Sequence, residues 1–124
     1  MGISAKRILI VDDDPLVSDS VRVMLAVDGH VVETASNARA GLNLFQKGRF
    51  DLVILDYEMP GMNGDELAAA VKALDLNQRI VMITAYPELL AASGTPLVAV
   101  DLIIKKPFDL EDVRKIVTKL LPKS

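Results

Sequence analysis

The chain has 124 residues, a length that fits one domain with a core of its own. Its formal net charge of −3 gives no basic surface for nucleic acid, so we do not expect this domain to bind nucleic acid. A membrane span needs about 18 consecutive apolar residues, and no apolar stretch approaches that length, so we do not expect a membrane partner. The lack of cysteine excludes disulfides and thiol chemistry, and without a signal-peptide core near Met1 we expect a cytoplasmic protein.

Five short apolar runs bounded by turn residues predict five β-strands. They lie at residues 8–11, 31–32, 52–55, 80–83 and 102–104. Several of them are continuously apolar, which is typical of strands that helices cover on both faces.

Apolar residues at helical spacing follow these runs, at residues 17–25, 38–45, 67–74 and 113–121. Asp14, Ser36 and Asp109 are predicted N-caps, and Gly29 and Gly48 are predicted helix ends. The alternation of strands and helices predicts an α/β fold with a doubly wound, five-stranded parallel sheet, that is, a flavodoxin-like (βα)5 architecture.

The segment between the fourth and fifth strands breaks this regularity. Gly94 and Pro96 would interrupt a helix there, because glycine destabilises a helix interior and proline cannot donate its backbone hydrogen bond. We therefore expect the fourth helix to be short or irregular.

Charged and hydroxyl side chains stand where the predicted strands end. These are Asp12, Asp13, Asp56, Thr84 and Lys106. The carboxyl ends of parallel strands share one edge of the sheet, so these side chains should converge. Crowded carboxylates repel one another, and Mg²⁺, which prefers oxygen ligands, is the natural neutralising ion. A carboxylate beside Mg²⁺ and a lysine ammonium can attack a phosphorus centre.

Four sequence motifs together resemble the receiver domain of two-component response regulators. They are IVDD at residues 10–13, LDYEMPGMNG at residues 55–64, ITA at residues 83–85 and KPF at residues 106–108. They occur in the family's order and spacing over essentially the whole chain, so residues 1–124 are predicted to form one receiver domain.

The resemblance implies that Asp56 accepts a phosphoryl group from a histidine kinase or a phosphotransfer protein. It also implies that Asp12, Asp13, Asp56 and the backbone carbonyl of Glu58 bind Mg²⁺ as the cofactor. Phosphorylation would then alter the affinity for a downstream protein partner, and the protein would be a signalling switch rather than a turnover enzyme.

The same resemblance assigns the phosphoryl contacts to Thr84 and Lys106, and it implies a cis peptide bond between Lys106 and Pro107. Glu58 and Tyr86 each lie two residues past a functional position, where in receivers they flank the path of attacking water. We hypothesise that these two residues set the lifetime of the acyl phosphate.

One position departs from the family pattern. Ile103 stands three residues before the lysine, where receivers commonly carry an aromatic ring that turns inward on switching. Aromatic gating is therefore not expected at this position.

Three other functions are compatible with the sequence. A degenerate receiver could act as a non-phosphorylated scaffold. A small Mg²⁺-dependent phosphohydrolase would use Glu58 as its second acid, although the chain has no insertion large enough for a cap. A flavin or nucleotide carrier would need a phosphate-binding loop, and the Asp-rich first loop would repel that anion.

Overall fold

The computed structural model describes residues 6–88 and 100–121, which form a five-stranded parallel sheet with helices on both faces. The strands are β1 (Arg7–Val11), β2 (Val31–Ala35), β3 (Leu52–Asp56), β4 (Ile80–Thr84) and β5 (Leu102–Lys105). The helices are α1 (Pro15–Val27), α2 (Ala38–Lys47), α3 (Gly64–Leu74) and α4 (Leu110–Leu120). The predicted α/β class and doubly wound, five-stranded parallel sheet are confirmed.

The strand order is β2-β1-β3-β4-β5. The chain first adds β2 on one side of β1 and then crosses to add β3 on the other side, so the order reverses between β1 and β3. Ligands of doubly wound sheets bind at this reversal, beyond the carboxyl ends of the strands.

Two apolar cores lie on opposite faces of the sheet, because successive strand side chains point to opposite faces. Leu9 and Val53 belong to the core that α2 and α3 cover. Ile8 and Leu52 belong to the core that α1 and α4 cover. Each fully buried aliphatic side chain of this kind contributes about 1.5–3 kcal/mol to folding, which explains why the runs are continuously apolar.

The first two helices begin at side-chain caps. The carboxylate of Asp14 accepts a hydrogen bond from the backbone N–H of Leu16 at 3.0 Å, as predicted. The prediction of Ser36 as the cap of α2 is wrong, since Asn37 fills that position and its Oδ1 accepts from Ala40 N–H at 2.8 Å. Both residue types cap helices well, and the helix begins one residue later than the sequence pattern indicates.

The other predicted boundaries agree with the structure. Asp109 is the N-cap of α4, and its backbone N–H donates to the Asp112 carboxylate at 3.0 Å. Gly29 follows the end of α1 with a φ of 96°, and Gly48 is the C-cap of α2. The short or irregular helix expected between β4 and β5 lies outside the described residues.

Within residues 6–88 and 100–121, none of the helices has the length and apolar character that crossing a membrane would require.

Gly64, the first residue of α3, fixes how closely that helix approaches the end of β3. A Cβ atom at this position would lie 2.5 Å from the backbone oxygen of Asp56 and 2.8 Å from Sδ of Met82. Both distances are shorter than van der Waals contact, and the nearest atom belongs to the backbone. Only glycine therefore permits this approach.

We predict that Gly64→Ala lowers the free energy of unfolding by about 1–3 kcal/mol, because the new methyl group must displace the end of β3. Urea unfolding of the two proteins measures the change. Gly48→Ala is the matched control, since its Cβ would first meet the end of a side chain, that of Arg7 at 3.3 Å, and not a backbone atom at a clashing distance. Equal losses in both variants would contradict the backbone clash.

Candidate acidic and phosphoryl-binding site

Two neighbouring strands deliver the acidic cluster to the reversal point of the sheet. Val11 pairs with Leu55 in the parallel register of β1 and β3, so Asp12 and Asp56 follow at matched heights. Oxygens of Asp12, Asp13 and Asp56 all lie within 4.8 Å of one another. The side chains of Asp12 and Asp56 are buried, whereas Asp13 is exposed. The sequence motifs thus converge as the strand-end argument predicts.

Asp12 carries one satisfied and one unsatisfied oxygen. Its Oδ1 accepts from Asp14 N–H at 2.8 Å. Its Oδ2 is buried and has no hydrogen-bond partner among residues 6–88 and 100–121. Burial raises the pKa of the Asp12 carboxyl to about 7; the Asp14 hydrogen bond acts against this, and the charge of Asp56 adds to it. Such an orphaned oxygen, beside two further carboxylates, fits a hard divalent cation such as Mg²⁺.

Lys106 brings a positive charge to the same cluster. Its ammonium donates to Oδ1 of Asp56 at 2.9 Å. Burial acts to lower the pKa of Lys106, but the hydrogen bond and charge of Asp56 outweigh it and raise that pKa. Burial raises the pKa of Asp56, and the contact with Lys106 opposes this shift. The peptide bond between Lys106 and Pro107 is cis, as expected.

The carboxylate of Glu58, in the loop after β3, lies against the end of β4. Its Oε2 accepts a hydrogen bond from the Thr84 hydroxyl, and its Oε1 accepts from Ala85 N–H at 3.1 Å. Oε1 also lies 3.7 Å from Nζ of Lys106. From the sequence, Glu58 was expected to supply a backbone oxygen and to act toward water, and these side-chain contacts were not predicted. Strand-end spacing carries no signal for them, because they depend on a loop conformation.

Thr84 and Tyr86 are linked through the backbone. The Thr84 hydroxyl is fully buried and accepts a hydrogen bond from Tyr86 N–H at 3.1 Å. The Tyr86 residue is 54% exposed, so its ring faces solvent at the margin of the site. Ile103 packs, partly buried, against the core under α2 and α3.

The site therefore combines several acids with a lysine. Asp12, Asp13, Asp56 and Glu58 contribute carboxylates, and Lys106 contributes an ammonium. One ammonium does not balance the acids, so the arrangement attracts a divalent cation. A cation bound beside Asp56 and Lys106 would allow an anionic group to approach the buried carboxylate of Asp56.

Comparison with known proteins agrees with this geometry. The family model of the response regulator receiver domain matches residues 8–118. Sporulation initiation phosphotransferase F of Bacillus subtilis is 34% identical over 117 residues, which are 94% of this chain and 94% of that protein. Regulatory protein AtoC of Escherichia coli is 34% identical over 116 residues, and the match covers 93% of this chain but 25% of AtoC.

Solved structures give the same result. The response regulator TrrA of Thermotoga maritima, in complex with Mg²⁺-BeF, has a TM-score of 0.83 and 36% identity, covering 94% of this chain and 99% of that one. The chemotaxis protein CheY4 of Vibrio cholerae has a TM-score of 0.87 and 31% identity, covering 95% and 100%. The family consists of signalling proteins rather than metabolic enzymes. Fold, acidic cluster and family match agree, and the chain belongs to the receiver-domain family of two-component response regulators.

Proposed function

We propose that residues 1–124 act as a phosphorylation-dependent signalling switch in which Asp56 accepts a phosphoryl group from a histidine kinase or a phosphotransfer protein. The observation that carries the proposal is the position of Asp56. Its buried carboxylate contacts the Lys106 ammonium at 2.9 Å and lies within 4.8 Å of oxygens of Asp12 and Asp13. A nucleophile held among such groups suits phosphoryl transfer, where positioning and charge dominate catalysis.

Asp12, Asp13, Asp56 and the backbone carbonyl of Glu58 are the proposed ligands of Mg²⁺. The orphaned Oδ2 of Asp12 supports this set, as does the Mg²⁺-BeF complex of the related TrrA. When bound, Mg²⁺ would offset the repulsion between the acids and an incoming phosphoryl group.

In the proposed transfer, a carboxylate oxygen of Asp56 forms a bond to phosphorus while the phosphorus–nitrogen bond of the phosphohistidine breaks. The departing imidazole nitrogen keeps the electron pair of that bond. Lys106 holds the Asp56 carboxylate before transfer and a phosphoryl oxygen after it, and the Thr84 hydroxyl donates to another. Attack of water on phosphorus later releases inorganic phosphate and restores the carboxylate.

The acyl phosphate would shift the protein between two conformations that differ in affinity for a protein partner. A differential stabilisation of about 5.5 kcal/mol moves a population from 1:99 to 99:1, and a smaller shift already gives a graded signal. A receiver used only as a non-phosphorylated scaffold is the alternative. Asp56 reactivity separates the two.

We predict that incubation with Mg²⁺ and acetyl phosphate adds one phosphoryl group to the protein, detected by intact-protein mass spectrometry. Asp56→Asn abolishes the addition, because an amide oxygen is a poor nucleophile. Asp19→Asn, on the exposed face of α1, is the matched control and keeps it. A parent protein that stays unmodified by any phosphodonor would favour the scaffold.

The raised pKa of Asp12 predicts how the stability of the metal-free protein depends on pH. Between its usual value of 3.8 and about 7 the folded protein binds a proton that the unfolded chain has released, so this carboxyl makes stability fall as pH rises through that window. We expect a loss of about 1–3 kcal/mol from pH 5 to pH 8, measured by urea unfolding in a metal chelator relative to Asp12→Asn.

Added Mg²⁺ should recover this loss at pH 8 in the parent, because an ion that binds the folded state stabilises it by mass action. Asp12→Asn should respond weakly. A parent whose stability relative to Asp12→Asn does not change with pH, or is insensitive to Mg²⁺, would contradict the assignment of Asp12.

Glu58 and Tyr86 are proposed to control the lifetime of the acyl phosphate. If Glu58 orients water, Glu58→Ala lengthens the lifetime several-fold. If the Tyr86 ring shields the phosphoryl group, Tyr86→Ala shortens it to a similar extent. The loss of the phosphorylated mass after removal of the donor measures both rates, and unchanged rates in both variants would remove the hypothesis.

A further inference from the structure

The carboxylate of Glu58 is held by hydrogen-bond donors and a positive charge from two strand ends. Thr84 donates its hydroxyl hydrogen and Ala85 its backbone N–H, while the Lys106 ammonium lies 3.7 Å away. Both carboxylate oxygens are thereby engaged. Thr84 and Lys106 are also the groups that the proposed function assigns to the phosphoryl oxygens.

The Thr84 hydroxyl cannot serve two acceptors at once. It has one hydrogen, which points to Glu58, while its oxygen accepts from Tyr86 N–H. The hydroxyl is fully buried, so water does not supply a replacement acceptor. A hydroxyl that donates to a carboxylate makes a charge-assisted bond, which is stronger than a neutral one. Thr84 is therefore committed to Glu58 in this state.

The surroundings of Glu58 also overlap with those that the proposed function assigns to a phosphoryl group on Asp56. Lys106 contacts Asp56 at 2.9 Å and approaches Glu58 at 3.7 Å, so the ammonium lies between the two acids. A phosphoryl group on Asp56 would bring further anionic oxygens to this ammonium. Two anions this close repel one another strongly in a site partly shielded from water.

We propose that Glu58 is an internal competitor of the phosphoryl group, a tethered anion that occupies its donors in the unphosphorylated protein and must withdraw when Asp56 is modified. The inference rests on the proposed function and adds a specific control of that site. The Glu58 side chain is 35% exposed, which leaves it a route toward solvent. The loop after β3 would then oppose occupation of the site by phosphoryl groups and similar anions.

The test measures the affinity for beryllofluoride in the presence of Mg²⁺ for the parent protein and for variants at position 58. Glu58→Ala removes the competitor and should tighten binding roughly tenfold, which corresponds to about 1.4 kcal/mol. Equal or weaker binding by Glu58→Ala would overturn the proposal.

Glu58→Asp separates competition by contact from a general effect of negative charge. It keeps the carboxylate but shortens the side chain by one methylene group, so the acid no longer reaches Thr84 and Ala85. Competition by contact predicts that Glu58→Asp binds beryllofluoride about as tightly as Glu58→Ala. An affinity equal to that of the parent would show that charge alone acts, and would overturn the proposal.

A second measurement does not depend on any phosphoryl analogue. The backbone amide of Ala85 donates to Glu58, so its NMR chemical shift and hydrogen-exchange rate report that contact in the metal-free protein. Glu58→Ala and Glu58→Asp should shift this resonance and speed its exchange, while amides of β1 stay unchanged and show that the fold persists. An unaltered Ala85 amide in both variants would overturn the proposal.

Asp56→Asn makes failure of this inference distinguishable from failure of the proposed function. If Asp56→Asn abolishes beryllofluoride binding and the variants at position 58 match the parent, the competition is wrong and the phosphoacceptor assignment stands. If beryllofluoride binds equally well to Asp56→Asn, or does not bind the parent or any variant, both proposals are wrong.

Discussion

The concentration of negative charge where the strand order reverses is the constraint on which the rest of this structure depends. Asp12 and Asp56 are almost completely buried, and burial disfavours their charged forms. Asp13 adds a third carboxylate at the mouth of the cluster. The ammonium of Lys106 offsets part of this charge, and the remainder favours a divalent cation. The uncompensated charge in the cluster is therefore electrostatically unfavourable.

Parallel pairing brings these groups together from distant parts of the chain. Asp56 pairs in register with Ile83, and Thr84 with Lys105, so β3 ends one residue before β4, and β4 and β5 end at paired residues. Gly64 lets α3 begin directly against the backbone of Asp56. A buried apolar sheet thus positions these groups, while the loop after β3 brings the Glu58 carboxylate to them. This division suits a protein whose family transmits signals.

The strands and the acidic cluster were predictable from sequence, because the types of residue in the chain determine them. Continuously apolar runs indicate buried parallel strands, and the rule that ligands bind beyond the carboxyl ends of parallel strands places Asp12 and Asp56 together from sequence alone. Ser36 was the wrong cap because Asn37 beside it has a side chain of equal capping ability, so composition could not choose between them. The contact of Glu58 with Thr84 depends on a rotamer and a loop path, which spacing does not encode.

The hydrogen bond between the Thr84 hydroxyl and the Tyr86 amide has a mechanical consequence. The same oxygen atom belongs to the interior of the site and anchors the turn that leaves β4. Rotation of the threonine side chain toward a new acceptor would alter that anchor, and with it the path of the backbone that carries the exposed Tyr86. A change at this buried oxygen would in this way reach a side chain on the outside of the molecule.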